Sequence, residues 1–242
     1  LVDKYLYIED SIINEERGQS MSFSVAIDGP AGAGKSTIAK EIAKRLGYIY
    51  VDTGAMYRAM ALYMIRKNIK PDQADQISLA SKEIDITIEY YNGEQLVILN
   101  GENVNPYIRS EEVGNMASVS SANKDVRLKL VDLQRQLAEK ADVIMDGRDI
   151  GTYVLPNANI KIYLTASSKV RAKRRYEELT QKGLSCNIEE IENDIIERDR
   201  RDSTREFAPL KQAEDAILID SSELSIEQVI NTVIEMVNGG NK

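Results

Sequence analysis

An α/β fold, a five-stranded parallel sheet with helices on both faces, is the architecture this sequence predicts, and three observations predict it. Five short apolar runs are near-continuous rather than alternating, as strands buried on both faces must be: Phe23–Ile27, Tyr48–Val51, Val143–Met145, Ile160–Leu164 and Ala216–Ile219. Stretches at helical spacing lie between them, for example Val126, Leu130, Leu133 and Leu137. The first run leads into a glycine-rich segment and then a helical pattern over Thr37–Leu46, so strand, loop and helix follow in that order.

The remaining segments follow in chain order. Residues 1–20 carry two basic and five acidic side chains and lack an apolar run of seven, which does not read as a secretory signal. The fold is expected to begin near Met21, with 1–20 a disorder-prone extension; the competing reading is a packed N-terminal helix. Ile84, Ile86 and Ile88 alternate with polar residues, and Asn92-Gly93 and Asn100-Gly101 flank a second extended run, Leu96–Leu99. Asn-Gly between extended runs is a strong hairpin signal because both residues reach positive φ, so 80–110 reads as a small antiparallel insertion. Asn187 with Glu190, and Ser225 with Gln228, mark the starts of the last two helices as capping boxes. The parallel core is then 21–79, 111–170 and 206–242, and 21–242 form one domain.

Composition removes several chemistries. In 242 residues there is no histidine, so no Ser-His-Asp triad, imidazole base or His-ligated metal is available. A single cysteine, Cys186, excludes an internal disulfide or a cysteine zinc cluster, and a free thiol fits a reducing, cytoplasmic setting. The formal charge of −8 argues against a broad grip on nucleic acid, and no long apolar run suggests a membrane span. Any catalysis must use carboxylates, lysine, arginine, hydroxyls or a hard metal ion.

Gly29-Pro30-Ala31-Gly32-Ala33-Gly34-Lys35-Ser36 fits G-x-x-x-x-G-K-[ST], and Thr37 follows it. The glycines let backbone N–H groups turn inward around phosphate oxygens, and the helix start adds a favourable field. Lys35 places a cation on the β- and γ-phosphates of a nucleoside triphosphate, and Ser36 can ligate Mg²⁺, with Asp146 as a water-mediated second partner. Seven of the fifteen arginines fall between 171 and 205. Arg198, Asp202 and Arg205 have the i, i+4, i+7 spacing of one helix face, where two guanidinium forks beside a carboxylate can bind phosphate and a ribose hydroxyl. The alternative is a solvated face of intrahelical ion pairs. Lys173–Ser185, with Gly183 as hinge, reads as a lid within a helical segment of about 171–205. Two clusters lie at carboxyl ends of expected strands, where open α/β sheets bind ligands: Asp52-Thr53-Gly54-Ala55-Met56-Tyr57-Arg58 and Asp146-Gly147-Arg148-Asp149-Ile150-Gly151. Their plain readings are a helix cap at Thr53 and an ordinary Asp-Gly turn.

From Phe23 to Val237 the chain resembles the bacterial cytidylate kinases, nucleoside monophosphate kinases with a phosphate loop, on the motifs AIDGPAGAGKST, VDTGAMYR, DGRDIGT, ERDRRDSTREFAPL and the hairpin insertion. The resemblance implies transfer of the ATP γ-phosphoryl group to CMP or dCMP, in pyrimidine nucleotide metabolism, with Mg²⁺ as cofactor. It implies that Gly29–Thr37 hold ATP, and that Lys35, Arg148, Arg174 and Arg175 are catalytic, the last two from the lid. It assigns Arg58, Arg148 and Arg205 to the acceptor phosphate and Ser118, Arg127 and Asp149 to the cytosine edge. Arg198 and Asp202 fall near the sugar, and Thr53 and Tyr57 complete the CMP set, Thr53 keeping a hydroxyl where the family often has serine. ATP and CMP or dCMP are the only partners expected, and a monomer is the expected state. Two other readings stay open: phosphoryl transfer to a different acceptor, with Asp52 or Asp149 as base for an alcohol, and a nucleotide-responsive binding protein without an acceptor.

Overall fold

The structure, a computed structural model, describes residues 22–240; the expected extension over 1–20 and the start near Met21 lie outside the described residues. Along the chain run β1 (Ser24–Asp28), α1 (Lys35–Leu46), β2 (Ile49–Asp52), α2 (Thr53–Arg66), α3 (Ala74–Glu83), β3 (Ile86–Tyr91), β4 (Glu94–Leu99) and β5 (Glu102–Asn103). There follow α4 (Glu111–Ser120), α5 (Lys124–Lys140), β6 (Val143–Gly147), a π-helical turn (Ile150–Val154), β7 (Ile160–Thr165), α6 (Ser168–Gln181), α7 (Ile188–Thr204), β8 (Ile217–Asp220) and α8 (Ile226–Gly240). The described strands form a five-stranded parallel sheet of order β2-β6-β1-β7-β8 and a three-stranded antiparallel sheet of order β3-β4-β5. Each parallel strand ends one or two residues beyond its apolar run. The polar residues there, Asp28, Asp52, Asp146, Thr165 and Asp220, keep extended backbone and place functional groups at the strand ends.

Two compact units divide the chain: Ser24–Gly47 with the chain from Ile144 onward, and Tyr48–Val143 with Ser22 and Phe23. In the first, β1 pairs with β7 in the register Val25↔Ile160 and Ile27↔Ile162, and β7 pairs with β8 through Ile162↔Ile217 and Leu164↔Ile219. Val25, Ala26 and Ile27 are fully buried, as are Val143, Ile144 and Met145 of β6, whereas edge strand β8 leaves Ile217 and Leu218 exposed. Helix α1 buries Ile38, Ala39, Ile42 and Ala43, and α8 buries Val229, Ile230, Val233 and Val237; the two helices pack together. Gly47 ends α1 at φ +71°, donating its N–H to the Ala43 carbonyl, a conformation glycine reaches without steric cost. The expected capping box of α8 is present: Gln228 N–H donates to Ser225 Oγ, and Ser225 N–H donates to Gln228 Oε1. Asn187 caps α7 by accepting from the amides of Glu189 and Glu190.

The other unit holds the insertion. β3 and β4 pair from Ile86↔Leu99 to Tyr91↔Glu94, and Asn92 and Gly93 turn between them at φ +51° and +76°. Ile86, Ile88 and Tyr90 are the buried half of the alternation. One boundary differs from expectation. α3 runs to Glu83, and Ile84 is its C-cap, so pairing starts at Ile86 rather than Ile84. Helix α2 packs on this sheet and against α3, α4 and α5, and α5 turns Val126, Leu130 and Leu137 inward as its spacing predicts.

Candidate active site

The phosphate loop is shaped by close approach. A Cβ on Gly29 would lie 1.9 Å from the Leu164 carbonyl oxygen, and Gly29, Gly32 and Gly34 all have positive φ. The loop can therefore run against the end of β7 only with glycine there. α1 starts at Lys35, two residues earlier than expected, with no side chain capping its N-terminus. Its first amides are thus directed into the loop, the arrangement that attracts anions. Lys35 is buried and donates from Nζ to the Pro30 carbonyl at 2.7 Å. Burial pushes its ammonium well below the usual lysine range, the nearby charges of Arg148 and Arg198 add to this, and Asp146 and Asp28 oppose it. Ser36 Oγ donates to Asp146 Oδ2 at 2.9 Å, so the hydroxyl and carboxylate expected around a metal ion are adjacent.

A cavity of about 500 Å³ opens over the loop, lined by Gly32–Ile38, by Arg174 and Arg175 of α6, and by Leu224, Ser225, Ile226 and Val229. That volume fits a nucleotide. Arg174 donates to the Ser221 carbonyl at 2.7 Å, and Arg175 pairs with Glu178 at 2.8 Å. Sequence reasoning did not single out Arg171, yet it is the residue that braces the loop. Its guanidinium donates to the carbonyls of Ala166 and Ala31, each at 2.9 Å, and to Asp199 at 2.6 Å. The sequence carries only a general signal for it, an arginine at the start of a helix that follows a strand.

In the same unit Arg148 donates from Nε to Asp202 Oδ2 at 2.9 Å, and Arg205 pairs with Asp149 at 3.5 Å. Burial would raise the Asp202 carboxyl, but Arg148, Arg198 and Arg205 hold it below the usual carboxylate range. Arg205 corrects one expectation. It is the C-cap of α7 with φ −62° and ψ 143°, off the helix rather than on one face with Arg198 and Asp202. Its side chain is anchored instead on the Ala208 carbonyl, at 2.7 Å from Nε. Arg200 and Arg201 pair with Glu197 on the exposed face, the plain solvated reading. Asp28 was missed. It ends β1 beside the loop, 4% exposed, and accepts from the amides of Ile150 and Gly151.

The other unit carries the remaining named residues. Asp52, not Thr53, caps α2 by accepting from Ala55 N–H at 2.9 Å, and the same carboxylate pairs with Arg109 at 2.6 Å, leaving it poorly placed to act as a base. Thr53 is the buried first residue of α2. Arg58 donates to the Ile108 carbonyl at 3.1 Å, and Gly114 leaves room for its guanidinium, since a Cβ there would lie 3.1 Å from Nη1. The Arg127 guanidinium, on α5 and 1% exposed, lies 5.2 Å from the ring centroid of Tyr57 and donates to the Ser121 carbonyl at 3.2 Å. Ser118 Oγ is buried without a hydrogen-bond partner. A hydroxyl in that condition is explained by a ligand or water that completes it.

A family model described as "Cytidylate kinase" matches residues 25–239. The chain belongs to the cytidylate kinase family. A cytidylate kinase of Caldicellulosiruptor bescii is 53% identical over 213 residues, 88% of this chain and 94% of that protein. One of Bacillus subtilis is 47% identical over 214 residues, 88% of this chain and 96% of that protein. Among solved structures, an uncharacterized protein from Eubacterium ventriosum aligns with TM-score 0.51 at 12% identity, over 90% of this chain and 99% of that one. At that identity the likeness concerns the fold alone. For this cytidylate kinase family member the five-stranded sheet, the phosphate loop and the antiparallel insertion all stand where the sequence motifs put them.

Proposed function

We propose that this chain is an ATP-dependent kinase that transfers the γ-phosphoryl group to CMP or dCMP, giving ADP with CDP or dCDP. The observation that carries the reading is electrostatic. Burial lowers the Lys35 ammonium and the charges of Arg148 and Arg198 add to it, so cations assigned to the donor and to the acceptor nucleotide act on one another within one unit. Asp202, Asp146 and Asp28 offset part of that positive charge, and two phosphate groups meeting end to end are anions that such a cluster of cations screens.

The attacking atom is a phosphate oxygen of CMP, already anionic near neutral pH. It forms a bond to the γ-phosphorus while the β–γ bridging oxygen leaves on ADP. No proton must be removed, which agrees with a chain lacking histidine. Catalysis then reduces to alignment and screening of repulsion. Lys35 serves the β- and γ-phosphates and the loop amides bind their oxygens. Arg148 and Arg205 take the acceptor phosphate with Arg58, and Arg174 and Arg175 approach the triphosphate from the helical segment that acts as lid. Asp202, kept ionised by its arginines, accepts from the ribose with Arg198 alongside, while Ser118, Arg127 and Asp149 read cytosine, and Thr53 and Tyr57 complete the acceptor set. The adjacent Ser36 hydroxyl and Asp146 carboxylate are hard oxygen donors that fit Mg²⁺, which binds few protein groups and completes its shell with water and phosphate. When bound, the ion supplies charge neutralisation on the β- and γ-oxygens.

On this reading the enzyme works as a cytoplasmic monomer with nucleotides as its partners; among the described residues no helix is long and apolar enough to cross a membrane. An acceptor panel tests the function. With ATP and Mg²⁺, CMP and dCMP are expected to give the fastest ADP release, ahead of UMP, AMP and shikimate. A faster rate with any of the last three, or ADP release indifferent to acceptor, would overturn it.

A further inference from the structure

We propose that Asp28 is a positioning residue that fixes the turn carrying Arg148 and Asp149 to the strand from which the phosphate loop departs. This rests on the kinase reading above and adds a residue to it. Asp28 is the last residue of β1 and directly precedes Gly29. Its Oδ1 accepts the Ile150 N–H at 2.8 Å and its Oδ2 accepts the Gly151 N–H at 2.7 Å, so one carboxylate holds two consecutive amides. Those amides open the π-helical turn, which has no side-chain cap of its own. Asp28 therefore caps it from 122 residues away in sequence.

What lies just upstream of the clamp gives it consequence. Arg148 reaches Asp202 at 2.9 Å and Asp149 lies 3.5 Å from Arg205, so any shift of the turn moves both pairs. The phosphate loop is held by other means. Backbone pairing Asp28↔Tyr163 and the contact of Gly29 with the Leu164 carbonyl involve no atom of the Asp28 carboxylate. Loss of the carboxylate should thus disturb the acceptor side more than the donor side, which it reaches only through its charge on Lys35. Burial pushes the Asp28 carboxyl up to about 7; the two amide bonds and Lys35 lower it and Asp149 raises it further. A group so costly to charge is a poor choice for packing alone.

Asparagine is isosteric yet offers only one acceptor oxygen, and its NH₂ would face an amide donor. Asp28→Asn, Gly151→Ala and the wild type are compared for kcat and KM with CMP, for affinity towards a non-hydrolysable ATP analogue, and for Tm. Expected for Asp28→Asn is a loss of about a hundredfold in kcat/KM for CMP, the scale of a 1 Å misplacement, with analogue affinity within about threefold. In Gly151→Ala the new Cβ would sit 3.2 Å from Lys161 Cδ and 3.5 Å from Asp28 Oδ2. It should show the same split at about tenfold. A folded variant with lowered Tm but wild-type kcat and KM would overturn the proposal, as would equal losses for CMP and the ATP analogue. Should Asp28→Asn fail to fold, Gly151→Ala decides on the same criteria. A wild type without CMP-stimulated ADP release refutes the kinase reading itself, whereas an active wild type with unaffected variants refutes only the role of Asp28.

Discussion

At the scale of single residues, the site is held by groups that are poorly stable when charged. Lys35 is a buried cation with carbonyl and carboxylate neighbours but two arginines close by. Its removal should therefore cost the fold little and the reaction much. Lys35→Met is expected to lower kcat roughly a thousandfold while unfolding free energy falls by about 1 kcal/mol or less, the value of one hydrogen bond. Urea denaturation and steady-state rates measured together check this; near-wild-type turnover would remove Lys35 from the mechanism. Asp28 makes a second, signed prediction. Its folded value near 7 exceeds the unfolded 3.8, so the folded protein binds the proton more tightly and stability from this group is full below about pH 4 and lost by about pH 7. The unfolding free energy of wild type minus that of Asp28→Asn should fall across that window. A difference that stays level from pH 4 to 7 would mean that Asp28 is not desolvated as the structure shows.

At the scale of elements, the informative contact is between α2 and α5, where Tyr57 supports the Arg127 guanidinium. A cation over a desolvated ring is worth about 1–2 kcal/mol. Tyr57→Leu should raise KM for CMP roughly tenfold, and Tyr57→Phe, which keeps the ring, should stay within about threefold. If both raise KM alike, the hydroxyl matters and the ring does not. What the sequence made legible at this scale was local. The glycine loop, the Asn92-Gly93 turn and the Ser225–Gln228 box are complete within a few residues, and each is found as read. What it did not reveal depends on partners far apart. The Asp28 clamp spans 122 positions, the Asp52–Arg109 pair 57 and the Arg171–Asp199 pair 28. Arg205 shows the limit of periodicity, because a spacing that matched a helix face continued past the last helical residue, Thr204. Ser118 and Arg127 came from family resemblance alone; only a folded structure reveals a buried serine hydroxyl without a partner.

At the scale of the whole molecule, an acidic chain, formal charge −8, must bind two anionic nucleotides on the proposed function. Long-range attraction does not assist such binding, so affinity must come from the few cations gathered at strand ends and in α6 and α7. On the proposed function both nucleotides are held at once, phosphate to phosphate, with direct transfer between them. A single ligand in which adenosine and cytidine are joined through five phosphates tests this most directly, titrated by calorimetry against ATP and CMP separately. The linked ligand is expected to bind at least about a hundredfold more tightly than ATP alone, because its second half associates without a further loss of translational freedom. Affinity no better than that of ATP would contradict it.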